Sequence, residues 1–256
     1  MVPISDLIFH QRLGRVLEHL GDEGFWAALA GVLRHSTAFD SWVALIFRPG
    51  RSPHPLGVGG EKLLDEALFA EYVQSFYEID PYYLFSLGEF APGLYRLDDV
   101  APEYFQKTEY YQRYFALNVV ADEVQFLLPM PPHGTLSFSL GCHHRFTNEE
   151  MGWLCLVLPW LLPLMKASAD MQIASAGIAP DRAVSLEARL RQKGTPALTD
   201  RETQIALLLL AGHSSKAIAA RLDISPETVK VHRRNLYEKL GVSSQAEVFA
   251  LFMTQG

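Results

Sequence analysis

Cysteine is scarce in this 256-residue sequence. Cys142 and Cys155 are too few for a disulfide framework, lack the spacing of a zinc site, and so favour a reducing compartment. Charge is modest too: 20% of residues are charged while 49% are hydrophobic, which excludes a disordered chain. Long apolar runs are missing. The longest, WLCLVLPWLLPLM (residues 153–165), falls short of a membrane span and contains Pro159 and Pro163, so it predicts a buried or interface helix and no membrane partner. The opening MVPISDLIFHQRLGRVLEHL lacks the basic start, apolar run and cleavage site of a secretory signal, and a cytoplasmic location is expected. No phosphate-binding loop is present either. GVGGEK (residues 57–62) lacks the P-loop spacing and a following Ser or Thr, and its expected role is a turn.

What is present is an uneven distribution of charge. The net charge is −7, yet residues 196–256 carry seven Lys/Arg against six Asp/Glu. The preceding residues carry 22−7=15 basic and 29−6=23 acidic side chains, a net of −8. Around residues 170–195 the sequence turns rich in Ala, Ser and Gly and loses its periodicity. Three regions are therefore expected: a sensing or dimerisation domain over 1–170, a linker over 171–195, and a separate domain over 196–256.

The larger region mixes helix and strand patterns. Amphipathic helices are predicted near residues 5–20, 22–36 and 61–77, and a strand at SWVALIFR (residues 41–48). DEVQFLLPM and GTLSFSLGC flank PPH and predict an antiparallel hairpin. In the second of these strands Thr135, Ser137 and Ser139 share one face and Leu136, Phe138 and Leu140 the other. Thr147 and Glu150 form a capping-box signal for the long apolar helix through about Ala169. The fold class is α+β: an α/β/α sandwich with an antiparallel sheet, followed by a four-helix domain.

The four short helices have clear punctuation. Thr199 with Glu202 opens the first and Gly212 stops it; Ser214 or Ser215 caps the second. Ser225 caps the third, with Pro226 at its first position and Gly241 as its stop, and Ser244 with Glu247 opens a fourth. Two helices joined by the brief DIS turn read as a helix-turn-helix. In its second helix Val229, Leu236 and Leu240 face inward, leaving Lys230, Arg233, Arg234 and Tyr237 outside.

The elements LTDRE, AGHSSKAIAARLDIS, TVKVH and YEKLGVSS occur in order over residues 198–251. This segment resembles the DNA-binding domain of LuxR-type transcription regulators. The resemblance implies double-stranded DNA as partner, with Lys230, Val231 and Arg234 at base edges and Ser215, Lys216, Thr228, Arg233 and Lys239 at or near phosphates. It also implies homodimers on a two-fold operator, paired through the last helix, with Val248, Phe249 and Phe252 as candidates.

The input to such a domain varies. No early apolar strand ends in paired acidic residues, so a phosphorylated receiver is not expected. FAEYVQSFYEIDPYY (residues 69–83) resembles the segment around the Asp-Pro pair of autoinducer-binding LuxR-type domains. A small organic ligand is implied, with Asp80 as hydrogen-bond acceptor, Tyr72, Tyr77 and Tyr95 as aromatic walls, Trp42 closing one side, and Ser137 or Ser139 adding a hydroxyl. Tyr95 stands fifteen residues after Asp80, where autoinducer-binding members carry a tryptophan, and their upstream pocket tryptophan is also missing. Asp80 before Pro81 also reads as an ordinary helix N-cap, and the aromatics as core. Cys142, His143, His144 and His133 imitate a soft-metal set, but adjacent strand residues point to opposite faces, so neither metal nor other cofactor is expected. No catalytic constellation is legible. The alternative is a ligand-independent regulator whose N-terminal domain is a dimerisation or protein-partner module.

Overall fold

A computed structural model describes residues 6–60, 66–108, 110–118, 121–177, 196–210, 212–245, 247, 248 and 251. Its centre is a five-stranded antiparallel sheet: β1 (Ser41–Arg48), β2 (Arg51–Gly60), β3 (Gly93–Arg96), β4 (Asp122–Met130) and β5 (Gly134–Cys142), in the order β2-β1-β5-β4-β3. β4 and β5 form the expected hairpin, with Phe126 opposite Phe138 and Met130 opposite Gly134. Gly134 has φ +119°, and a Cβ there would strike the Phe47 carbonyl oxygen, so the turn beside β1 requires glycine.

Strand alternation divides the sheet into two faces with different chemistry. Trp42, Ala44 and Ile46 of β1, Val124, Phe126 and Leu128 of β4, and Leu136, Phe138 and Leu140 of β5 join one apolar core. That face is covered by α1 (Leu7–Glu18), α2 (Phe25–Leu33) and the long α7 (Asn148–Ala176). The opposite face presents Leu45, Phe47 and Leu127 to α3 (Glu66–Gln74), the 3-10 turn Phe76–Ile79, α4 (Pro81–Ser86), α5 (Leu97–Val100) and the π-helical turn Tyr111–Phe115, which continues into α6 (Ala116–Asn118). The result is the α/β/α sandwich expected from sequence.

The capping box of α7 forms as anticipated, Thr147 Oγ1 accepting from the Glu150 N–H and Glu150 from the Thr147 N–H. The helix runs to Ala176, beyond the expected Ala169, and ends at Gly177 in the left-handed region. It is long and apolar enough by composition to cross a membrane. In the fold its Trp153, Leu154, Val157, Leu161 and Met165 are buried against the sheet. Residues 178–195 of the anticipated linker lie outside the described residues.

GVGGEK departs from its expected role as a turn, for Gly57–Gly60 belong to β2. The reason is steric. A Cβ at Gly59 would meet the Trp42 indole at 2.7 Å, so glycine there lets the indole lie flat against the neighbouring strand.

The C-terminal region contains α8 (Asp200–Leu210), α9 (Ser215–Leu222) and α10 (Pro226–Leu240). Ser214 Oγ caps α9 by accepting from the Ala217 N–H, and Ser225 Oγ caps α10 by accepting from the Thr228 N–H. Gly241 (φ +67°) terminates α10. Ile205, Leu209, Ile218, Val229 and Leu236 fill the space between the helices. Of the anticipated fourth helix, the Ser244–Glu247 capping contact is present; Phe249 and Phe252 lie outside the described residues.

Candidate functional site

The polar face of the sheet encloses a cavity of about 20 Å³, lined by Tyr72, Asp80, Tyr110, Tyr114, Glu123, Gln125, Ser137 and Ser139, with Val43, Leu45 and Phe47 of β1. Such a volume holds about one water. Each polar group arrives by strand or helix periodicity: Glu123 and Gln125 alternate with core residues on β4, and Ser137 and Ser139 on β5. Tyr110 and Tyr114 are four residues apart, next to and within a π-helical turn, an irregularity frequent at functional sites.

Asp80 is 1% exposed and has two roles. Its Oδ1 accepts from the Tyr82 N–H at 2.8 Å and caps α4, with Pro81 at the first helical position. Its Oδ2 accepts from the hydroxyls of Tyr72 at 2.8 Å and Tyr110 at 3.1 Å. Burial pushes the Asp80 carboxyl up to about 6, against these hydrogen bonds. Glu123, 5% exposed, accepts from Gln125 Nε2 at 3.0 Å, and the Ser137 hydroxyl donates to Gln125 Oε1 at 2.7 Å. Burial and then the neighbouring Asp80 charge push Glu123 up to about 8. Tyr72 and Tyr110 are raised well above the usual phenol value, chiefly by burial.

Of the residues singled out in the sequence, Tyr72, Asp80, Ser137 and Ser139 converge here. Trp42 does not, because β1 points its indole to the other core, against Phe138 at 6.0 Å. Tyr77 does not line the cavity and packs edge-on against Tyr83 at 5.1 Å. Tyr95 sits on β3, its hydroxyl donating to the Ala91 carbonyl at 2.6 Å. Sequence reasoning missed Glu123, Gln125, Tyr110 and Tyr114. The signals were the alternation within DEVQFLL and the four-residue tyrosine spacing in YYQRYF.

The second site is the outer face of α10. Lys230 and Val231 are exposed, and the Arg234 side chain is 70% exposed with Glu238 at 4.0 Å. Arg233 donates to Ser215 Oγ at 2.9 Å and to the Tyr237 hydroxyl at 3.2 Å, tying α10 to the first turn of α9. Lys216 is exposed on that turn, and Thr228 on the first turn of α10. Lys239 is placed differently, since its Nζ lies 2.7 Å from the buried Glu202 and joins α10 to α8.

A helix-turn-helix whose second helix presents cations outward, joined to an α/β/α sandwich with a lined cavity, defines a DNA-binding transcription regulator. Residues 196–252 match the family described as "Bacterial regulatory proteins, luxR family". Over 155 residues the chain is 34% identical to the putative HTH-type transcriptional regulator in the exeN 3′ region of Aeromonas salmonicida, covering 57% of this chain and 79% of that protein. It is 47% identical over 78 residues to the transcriptional regulatory protein UhpA of Salmonella typhimurium LT2, covering 30% of this chain and 38% of that one. The crystal structure of the VqsR LBD domain from Pseudomonas aeruginosa superimposes with a TM-score of 0.59 at 37% identity, covering 64% of this chain and 98% of that one. The chain belongs to the luxR family of bacterial regulatory proteins.

Proposed function

We propose that this regulator is a cytoplasmic homodimer whose N-terminal domain, residues 1–170, binds a small organic ligand that controls DNA occupancy by residues 196–256. The observation that carries the reading is the lined cavity at Asp80, where buried carboxylates, hydroxyls and an amide face a space between apolar layers. A purely structural core has little reason to gather such groups, because each buried polar atom costs free energy unless it is partnered. Ligand occupancy that favours one dimer geometry would set the spacing of the two α10 helices and hence operator affinity.

On the DNA side, the exposure of Lys230, Val231 and Arg234 on α10 supports their reading as base-edge contacts, and Ser215, Lys216 and Thr228 in the first turns of α9 and α10, with Arg233 bonded to Ser215, support a phosphate-contacting group. The 20 Å³ volume favours one rival, a ligand-independent dimerisation module with a nearly filled core.

Native mass spectrometry on protein purified gently from its host separates the two. The expected result is a dimer with a stoichiometric small-molecule adduct that is lost in Asp80→Ala. An adduct-free dimer that binds a selected operator as tightly as the host-derived protein would overturn ligand control.

A further inference from the structure

Asp80 and Glu123 line the same cavity, and among the described residues neither has a Lys, Arg or His partner. Two other buried carboxylates are paired with cations. Asp122, adjacent to Glu123 in sequence, has Arg96 at 3.7 Å, and Glu202 has Lys239 at 2.7 Å. The cavity wall opposite the sheet is aromatic: Tyr72 and Tyr114 stack with centroids 4.8 Å apart, and Tyr110 lies 5.5 Å from Tyr114.

The hydrogen bonding points the same way. Asp80 Oδ2 accepts two phenol protons and Oδ1 one backbone N–H, while Glu123 accepts from Gln125, whose own oxygen is taken by Ser137. With both groups ionised, the remaining capacity of the two carboxylates is acceptor capacity. A protonated amine offers three donors and no acceptor. A neutral amide or hydroxyl brings no charge to the pair and leaves the proton on Glu123 in place.

We propose that the ligand of this cavity is an organic cation, its protonated amine seated between Asp80 and Glu123 against the tyrosine rings. The inference rests on the reading of the cavity as a ligand site. The 20 Å³ present accommodates the ammonium head, and a substituent requires the cavity to enlarge. Glu123, held protonated near neutral pH by burial and Asp80, then gives up its proton as the cation enters. The balance is one proton released to solvent for each ammonium bound.

The test uses the full-length dimer with ethylamine, butylamine and 2-phenylethylamine as hydrochlorides. The matching alcohols serve as neutral controls at equal ionic strength. Thermal melting and calorimetry in two buffers of different ionisation enthalpy are the readouts. At least one amine is expected to raise the melting temperature saturably, to bind at least about tenfold more tightly than its alcohol, and to release a proton. Glu123→Gln, which keeps the side-chain shape, is expected to lose this preference and the proton release. Alcohols matching the amines, an amine preference intact in Glu123→Gln, or no saturable amine effect would each overturn the proposal. A host-derived adduct that is neutral at pH 7 would overturn the cation assignment while leaving ligand control standing. An adduct-free dimer with full operator affinity would remove both.

Discussion

Replacing Glu123 with Gln should make the protein more stable above neutral pH and flatten its stability between pH 5 and 8. Glu123 is raised from 4.5 to about 8 in the fold, so the folded state holds a proton that the unfolded chain releases. The folded state therefore binds more protons between those values, and stability from this group is fully present below pH 4.5 and declines as pH rises towards 8. At 1.36 kcal/mol per pH unit, the loss from pH 5 to 8 is about 3 kcal/mol. Asp80, raised from 3.8 to about 6, adds a similar decline over the lower part of that range, and it does so in both proteins. Gln cannot ionise, and its amide oxygen can still accept from Gln125 Nε2. The two proteins should have matching stability near pH 5 and differ by about 3 kcal/mol at pH 8, or about 1–2 M in urea midpoint. Tryptophan fluorescence follows the relevant unfolding, since all four tryptophans (Trp26, Trp42, Trp153 and Trp160) lie in the N-terminal region. Parallel pH profiles for the two proteins would refute the argument that an uncompensated carboxyl is buried in the cavity.

Arg234→Ala should weaken cognate DNA binding by about 1–3 kcal/mol and relax preference at one base position, whereas Lys216→Ala should weaken all sequences alike and lower the salt slope by about one; fluorescence anisotropy on operator variants distinguishes them. Lys239→Met leaves Glu202, 3% exposed, without its cation, and should lower stability of the C-terminal domain by about 3 kcal/mol in denaturant melts. Gly59→Ala drives a methyl group into the Trp42 indole and should cost about 1–3 kcal/mol, read as a lower urea midpoint. Glu103 holds Ser214 Oγ at 2.7 Å at the N-terminus of α9, where a DNA phosphate would compete with its carboxylate. Glu103→Gln is therefore expected to tighten DNA binding at low salt, and unchanged affinity would show that the contact does not oppose binding.

The parts of this chain that were legible in its sequence are those with local causes. β1, β4 and β5 match their expected bounds because alternation and the intervening PPH turn are properties of neighbouring residues. The caps at Thr147, Ser214 and Ser225 likewise require only a hydroxyl facing the next turn. What was not legible depends on partners distant in the chain. Alternation separates Trp42 from Val43, but which of them faces the cavity is decided by the helices that cover each side. Gly57–Gly60 read as a turn because their small size serves Trp42 on the next strand. The resemblance to LuxR-type domains implies a phosphate role for Lys239 on α10, whereas Glu202, 37 residues away in sequence, binds its ammonium here. The cavity combines both cases. Asp80 stood out through its Asp-Pro pair, while Glu123 looked like an ordinary polar position on a strand. Its importance comes from Asp80 lying across the same small space, with no cation between them among the described residues. Two acids 43 positions apart in sequence become one site only when the sheet and α4 meet, and that meeting is what makes the chemistry of the ligand open to test.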